Sequence, residues 1–251
     1  MIAHSRAYEA LRRESQDFLD FVVLVCTAVP GLRTTLAAGT ATISPDHFKG
    51  VQVSDLPRYI GRYQDQIARA CIVTLYSFFE AYVKAVLAEV VTFHGGEEEF
   101  VRVAERRARR FLKMPPPDVV AAKRKLQEQA KKSKVEKYKK HSAVLVNAGY
   151  RFPTELLASL GVKTLVRRAR PKGMRAAEIP LVLEEALNFS LEKTASDRLK
   201  AINDLRNAIA HGRPTKSSLK KALAVSGDLR SIAAKVDAHV VEHFFVLEGY
   251  A

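Results

Sequence analysis

The sequence predicts an all-α fold, a helical bundle carrying a basic helical insertion, and three observations predict it. Apolar residues recur at helical spacing in almost every segment, no alternating strand pattern is evident, and glycine or proline stops punctuate the chain at bundle-like intervals. With 251 residues, 47% of them hydrophobic, the chain can bury a sizeable core, so residues 1–251 are read as one domain.

The first helix is expected over residues 5–29, ending at Pro30-Gly31. Its apolar run "FLDFVVLVCTAV", residues 18–29, is shorter than a bilayer span and contains Asp20, which makes it a core helix. Neither a transmembrane segment nor a signal peptide is read from the sequence, so a cytoplasmic location without membrane contact is expected. Cys26 and Cys71 each sit in an apolar run without a CxxC or histidine neighbour, as buried thiols of a reducing compartment do. A loop rich in Gly, Thr, Ser and Pro reaches to about Pro57. The second helix, about Arg62 to Phe93, is the most apolar element. Ile72, Leu75, Phe78, Phe79, Tyr82, Val86 and Phe93 share one face, and Tyr76, Val83 and Leu87 widen it, so this helix is central or lies at a subunit interface.

Charge is concentrated in the next part of the chain. The net charge is +14, and residues 101–140 hold 15 Lys+Arg against 4 Asp+Glu. A short helix after "HGG" is expected to run to about Lys113 and to break at Pro115-Pro116-Pro117; Asp118 to Lys140 is then expected to be helical or partly mobile. This inserted segment spans about residues 97–150. Charge runs usually form a solvated face, but concentration on this scale favours a polyanion partner, because neutralising phosphates releases counterions whatever the sequence. Lys131, Lys132, Lys137, Lys139 and Lys140 are the candidate contacts, joined by Arg167 and Arg168 of the cluster "KTLVRRARPKGMR" and by Arg213. Tyr138 and Phe111 are the only aromatics in the block, which favours backbone contact over base stacking.

"RFPTELLASLG" reads as a short helix beginning near Pro153 and stopped by Gly161, and "EIPLVLEEALNF" as another. A final helix is expected from about Lys216 to Leu247. No internal repeat and no glycine-rich phosphate loop occur.

Between them lies "DLRNAIAHGRPTKSS", residues 204–218. Thr194 or Ser196 can cap the start of its helix, and Gly212 with Pro214 ends it. Leu199, Ile202, Leu205 and Ile209 form one apolar stripe; Asn203, Asn207, Lys200, His211 and Asp204 form a separate polar one. Arg206 lies on the edge of the apolar stripe, about 140° from His211 at 100° per residue. A single helix therefore brings Arg206 and His211 together only poorly. Arg-x4-His alone carries little weight, since this composition yields about 0.6 chance matches. Arginine at a helix edge can snorkel, and histidine in a last turn suits the helix dipole.

"LRNAIAHG", on the penultimate helix of an all-α chain, resembles the signature of the HEPN superfamily. "LYSFFEAYVKAVLAE", residues 75–89, is similar to the aromatic-Phe-Glu-x-Tyr helix of its RiboL-PSP-type branch. The order of elements from about Arg62 to Leu247 fits that branch, apart from the basic block. The resemblance implies a HEPN-like bundle and a homodimer with facing motif helices. It also implies, in many members, a metal-independent endoribonuclease that leaves a 2′,3′-cyclic phosphate and needs no cofactor. Carried over position by position, the motif residues are Arg206, Asn207 and His211. Two copies would place two His211 and two Arg206 in one groove, giving base, acid and phosphate charge for 2′-OH attack. The corresponding roles are a toxin or phage-defence effector, with an antitoxin or ATPase as a partner protein. Some members are instead non-catalytic dimers that bind RNA or an operon-encoded partner.

Three further sets of residues have ordinary explanations. Glu80 is expected in a surface ion pair with Arg69 or Lys84, the alternative being a polar contact to the motif helix. His239 and His243 stand at i, i+4, but no third metal ligand has suitable spacing. Glu97, Glu98 and Glu99 open a helix, where negative charge is favourable.

Overall fold

The computed structural model describes residues 3–42, 52–110, 117–126, 134–148, 159–170 and 174–245. Every regular element among them is helical. In chain order these are α1 (Arg6–Ala37), a 3-10 turn (Val53–Asp55) leading into α2 (Leu56–Ile60), α3 (Tyr63–Phe93), α4 (Glu97–Arg110), α5 (Pro117–Leu126), α6 (Val135–Asn147), α7 (Ser159–Ala169), a 3-10 turn (Ala176–Glu178), α8 (Ile179–Leu187), α9 (Lys193–Ala210) and α10 (Leu219–His243). The all-α expectation holds.

α3 is the central helix, because its apolar side chains cover most of its circumference and leave only a narrow stripe through Ser77, Ala81, Ala85 and Ala88 exposed. Ala68, Ile72, Tyr76, Phe79, Val83, Val86, Leu87 and Val90 are completely buried, and α1, α7, α9 and α10 all pack against it. Each of the larger aliphatic and phenylalanine side chains contributes roughly 1.5–3 kcal/mol on burial, so this single element organises the main core. Tyr82 adds one directed bond, its hydroxyl donating to the Ala233 carbonyl of α10 at 3.1 Å.

The first turn of α1 is fastened by long-range polar contacts. Ser5 caps it, accepting from Tyr8 N–H at 3.1 Å. The Asp237 carboxylate, 1% exposed, accepts from Ser5 N–H at 3.0 Å and Ser5 Oγ at 2.5 Å and meets His4 Nδ1 at 2.8 Å. Glu89 of α3 accepts from the Arg6 and Ala7 N–H groups at 3.0 and 2.9 Å. All these acceptors satisfy donors that a helix start leaves orphaned.

Several expected boundaries are corrected. α1 continues through Pro30 to Ala37. A proline forfeits one intrahelical bond, and the helix stops only where Gly39 takes φ +68°. Nor is residues 18–29 a core stretch: of it only Val22 is buried, while Phe21, Val23 and Leu24 are exposed. By length and composition alone, α1 and α3 could each cross a membrane; the apolar window of α3 is half buried in the fold, whereas that of α1 is scarcely buried and is partly covered through Phe18, Leu19 and Cys26. Cys71 is buried, which pushes its thiol pKa up, and Cys26 is half-buried. Gly161 lies inside α7 and does not stop it; a glycine terminates a helix when it turns left-handed, as Gly212 does at φ +67°. Neither Thr194 nor Ser196 caps α9, whose N-cap is Glu192 without a side-chain bond.

The basic stretch forms α4, α5 and α6. α4 packs on α7, whereas α5 and α6 pack on each other around Val119, Ala122 and Leu145, a cluster separate from the main core. The helix expected from near Pro153 lies outside the described residues until Ser159.

Candidate functional site

α9 buries Leu199 and Ile202 and half-buries Leu205 and Ile209 against the core, as its apolar stripe requires. Its C-terminus is a Schellman motif: Arg213 N–H donates to the Ala208 carbonyl at 2.9 Å and Gly212 N–H to Ile209 at 3.0 Å. His211 is the C-cap, exposed, and its imidazole makes no hydrogen bond or ion pair with a described residue.

Arg206, one and a half turns earlier, is held within the subunit. Its Nη1 donates to Asn207 Oδ1 at 3.0 Å, and its Nη2 lies 3.9 Å from Glu80 Oε2 on α3. Its Cζ sits 5.7 Å from the centre of the Tyr76 ring, a cation–π distance. Its Nε is buried with no hydrogen-bond partner. Glu80 also accepts from Lys84 Nζ at 2.8 Å, so it makes both contacts weighed for it, the ion pair and the link to the motif helix. Arg69 serves elsewhere: it pairs with Asp65 at 2.8 Å and donates to the Thr215 carbonyl at 2.7 Å. Asp65 in turn accepts from Ser217 N–H at 3.1 Å. The segment after His211 is thereby pinned to the start of α3.

Tyr76 is completely buried beside this cluster. Burial, then the charge of Glu80, pushes its hydroxyl up to about 12, Arg206 opposing and Asp204 reinforcing the shift. It stays a neutral phenol throughout the physiological range.

The structure thus brings Arg206 and Asn207 into direct contact and leaves His211 projecting at the helix end. A half-buried guanidinium with a carboxamide can hold a phosphate oxygen, and a free imidazole can exchange protons. Of the expected polyanion contacts, Arg213 is exposed two residues beyond His211. Lys137, Lys139 and Lys140 are exposed on α6, Lys139 pairing with Glu136 at 2.7 Å. Arg167 is exposed on α7. Arg168 instead ties α7 to α8 through Glu178 at 2.7 Å and Glu185 at 3.8 Å. Lys131 and Lys132 lie outside the described residues.

The remaining candidates are structural. His239 Nε2 bonds the Leu187 carbonyl at 2.9 Å, and among the described residues no three His, Cys, Asp or Glu side chains group as metal ligands. Glu97 pairs with Arg170 at 2.6 Å. Glu99 pairs with Arg102 at 2.6 Å, a hydrogen bond that holds its carboxyl below the usual range. Sequence reasoning missed Tyr76 as the platform under Arg206 and Asn203 as a buried polar residue; the i, i+4 step from Asn203 to Asn207 was the available signal.

These features define an all-α domain built on one central helix, with a penultimate helix whose polar end faces outward. The chain belongs to the RiboL-PSP-HEPN family, whose sequence model matches residues 47–226. The match covers α2 to the first turns of α10, the basic helices included, and leaves α1 outside. HEPN domains are often ribonucleases, so membership places RNA cleavage or RNA binding among the roles of this fold. No curated protein and no solved structure matches the chain.

Proposed function

We propose that the protein is a metal-independent endoribonuclease whose site is completed by a second copy of the chain. The observation that carries this reading is the division of labour at the end of α9, where Arg206 is steered by Glu80, Tyr76 and Asn207 while His211 projects free. Cleavage by 2′-OH attack requires one group to take the hydroxyl proton and another to protonate the departing 5′ oxygen. The new bond joins O2′ to phosphorus, the phosphorus–O5′ bond breaks, and the products are a 2′,3′-cyclic phosphate and a 5′ hydroxyl. One imidazole cannot do both at once. Two α9 helices meeting across a two-fold axis supply two. The guanidiniums, charged at every relevant pH, stabilise the phosphorane oxygens. Arg213 and the exposed lysines of α6 draw the RNA in, and a toxin or defence role, restrained by an antitoxin or ATPase partner in the cytoplasm, fits such an activity.

The second reading, a non-catalytic dimer that binds RNA or a partner protein, draws on how much of Arg206 is already engaged inside the subunit. RNA cleavage in excess EDTA separates them. Cleavage abolished in His211→Ala and Arg206→Ala, with the dimer intact by light scattering, supports the nuclease; variants as active as wild type would sink it.

A further inference from the structure

A cavity of about 350 Å³ lies in the groove between α1 and α10. Three arginines meet on it, Arg12 and Arg13 from α1 and Arg230 from α10, together with Glu9, Ser15 and Gln16. The fold imposes this meeting. Ser5 is bonded to Asp237, and the two helices run antiparallel from that clasp, so about two turns along each brings Arg12 level with Arg230. Glu9, Arg12, Arg13 and Gln16 are related by i, i+3 and i, i+4 steps, which sets them on one face of α1.

The three guanidiniums have no carboxylate partner among the described residues. Arg69, Arg168 and Arg198 each hold one. Arg12, Arg13 and Arg230 make no ion pair or hydrogen bond with a described residue, although Glu9 stands in the same lining. Arginine stays charged at every relevant pH, so loss of a proton does not relieve the repulsion among them; an anion between them does. All three are exposed, which leaves them open to one from solvent. The wall of the cavity adds a second observation. Ser15 is 5% exposed, yet its hydroxyl makes no hydrogen bond with a described residue and is not one of the sealed, unpartnered polar atoms of the fold. Buried hydroxyls are ordinarily bonded; this one is left to whatever occupies the cavity.

Size and charge specify the occupant. Small-molecule sites occupy about 300–1,000 Å³, so the space exceeds what a single phosphate needs. Guanidiniums grip phosphate oxygens as two-pronged forks. Three forks and one carboxylate leave a net positive charge that adjoining phosphates neutralise, with Ser15 and Gln16 donating to their remaining oxygens and Glu9 accepting from a hydroxyl or amine of the organic part. We propose that this cavity binds a small organic polyphosphate of the nucleoside di- or triphosphate kind. A void beneath it shares Ser15 and Arg230 and reaches Leu75 and Phe79, on the side of α3 next to the one that Tyr76 and Glu80 turn to Arg206. Its residues also fall outside the stretch 47–226 that carries the family match. The site is therefore separate from the end of α9 and independent of the ribonuclease reading.

Calorimetric titration of the wild-type protein with sodium pyrophosphate and with ATP, without divalent cations, tests this. Both should bind saturably, and orthophosphate should bind about tenfold or more weakly than pyrophosphate. Arg12→Gln and Arg230→Gln should each weaken pyrophosphate about tenfold. Arg33→Gln, which removes an exposed charge farther along α1, should change it by no more than about twofold. The substituted side chains are all exposed, so the variants should melt as wild type does. A single-stranded RNA oligonucleotide offers the same phosphate chemistry from a backbone, and its affinity should change by no more than about twofold in Arg12→Gln and Arg230→Gln. Absence of saturable pyrophosphate and ATP binding, an equal loss in Arg33→Gln, or a loss confined to RNA would each overturn the proposal, the last by assigning the cavity to an RNA track.

Discussion

Arg206 Nη2 and Glu80 Oε2 face each other at 3.9 Å between α9 and α3, with 27% and 18% of their side chains exposed. That is longer than a charge-assisted hydrogen bond, because Glu80 gives its shorter contact to Lys84. Glu80 therefore steers Arg206 without locking it. Glu80→Ala should lower the RNA cleavage rate about tenfold, equivalent to roughly 1.4 kcal/mol of barrier. A partly exposed pair at this distance should contribute no more than about 1 kcal/mol to stability. Single-turnover cleavage and urea denaturation of the same variant measure the two effects separately.

Gly212 offers a backbone test. A Cβ there would touch nothing within 4 Å, so the only penalty for Gly212→Ala is its φ of +67°. The cost should be about 1 kcal/mol, visible as a lower denaturation midpoint with unchanged slope. Because His211 precedes this turn, cleavage should fall further than stability does.

Asp237→Ala removes the shared acceptor of Ser5 N–H, Ser5 Oγ and His4. With hydrogen bonds to a charged group contributing about 1.5–3 kcal/mol, the variant should lose roughly that much. Hydrogen exchange should show the first turn of α1 opening while α9 stays protected.

The link between α7 and α8 carries a pH dependence. Arg175 N–H, at 3.3 Å, and then the Arg168 guanidinium hold the Glu178 carboxyl below its ordinary range. A depressed folded value means that the contribution is complete above the unfolded carboxyl pKa of about 4.3 and is lost as pH falls from there through the lower folded value. Glu178→Gln should consequently lose less stability than wild type between about pH 5 and pH 3, followed by thermal melts across that range.

Periodicity made α3 and the C-terminal helices legible, because burial on α3 follows the same apolar side chains that define its pattern. Ends were harder. Pro30 does not end α1 and Gly161 does not end α7, since a stop residue acts through the backbone angle it adopts and not through its identity. The polar stripe of α9 was visible on a helical wheel, yet the hold on Arg206 was not: Tyr76 and Glu80 come from another helix, and only tertiary packing sets them beneath it. The exposure of Phe21, Val23 and Leu24 was likewise invisible, because hydropathy records preference and not whether a neighbour exists.

Ser5 and Asp237 are separated by 232 residues. On an emerging chain, made N-terminus first, the opening turn of α1 has to wait for α10 before its anchor arrives. By then Arg206 and His211 have already been made. The clasp that secures the start of α1 therefore becomes available only after α9 has been made, and translation timing sets the order in which these helices can close on one another.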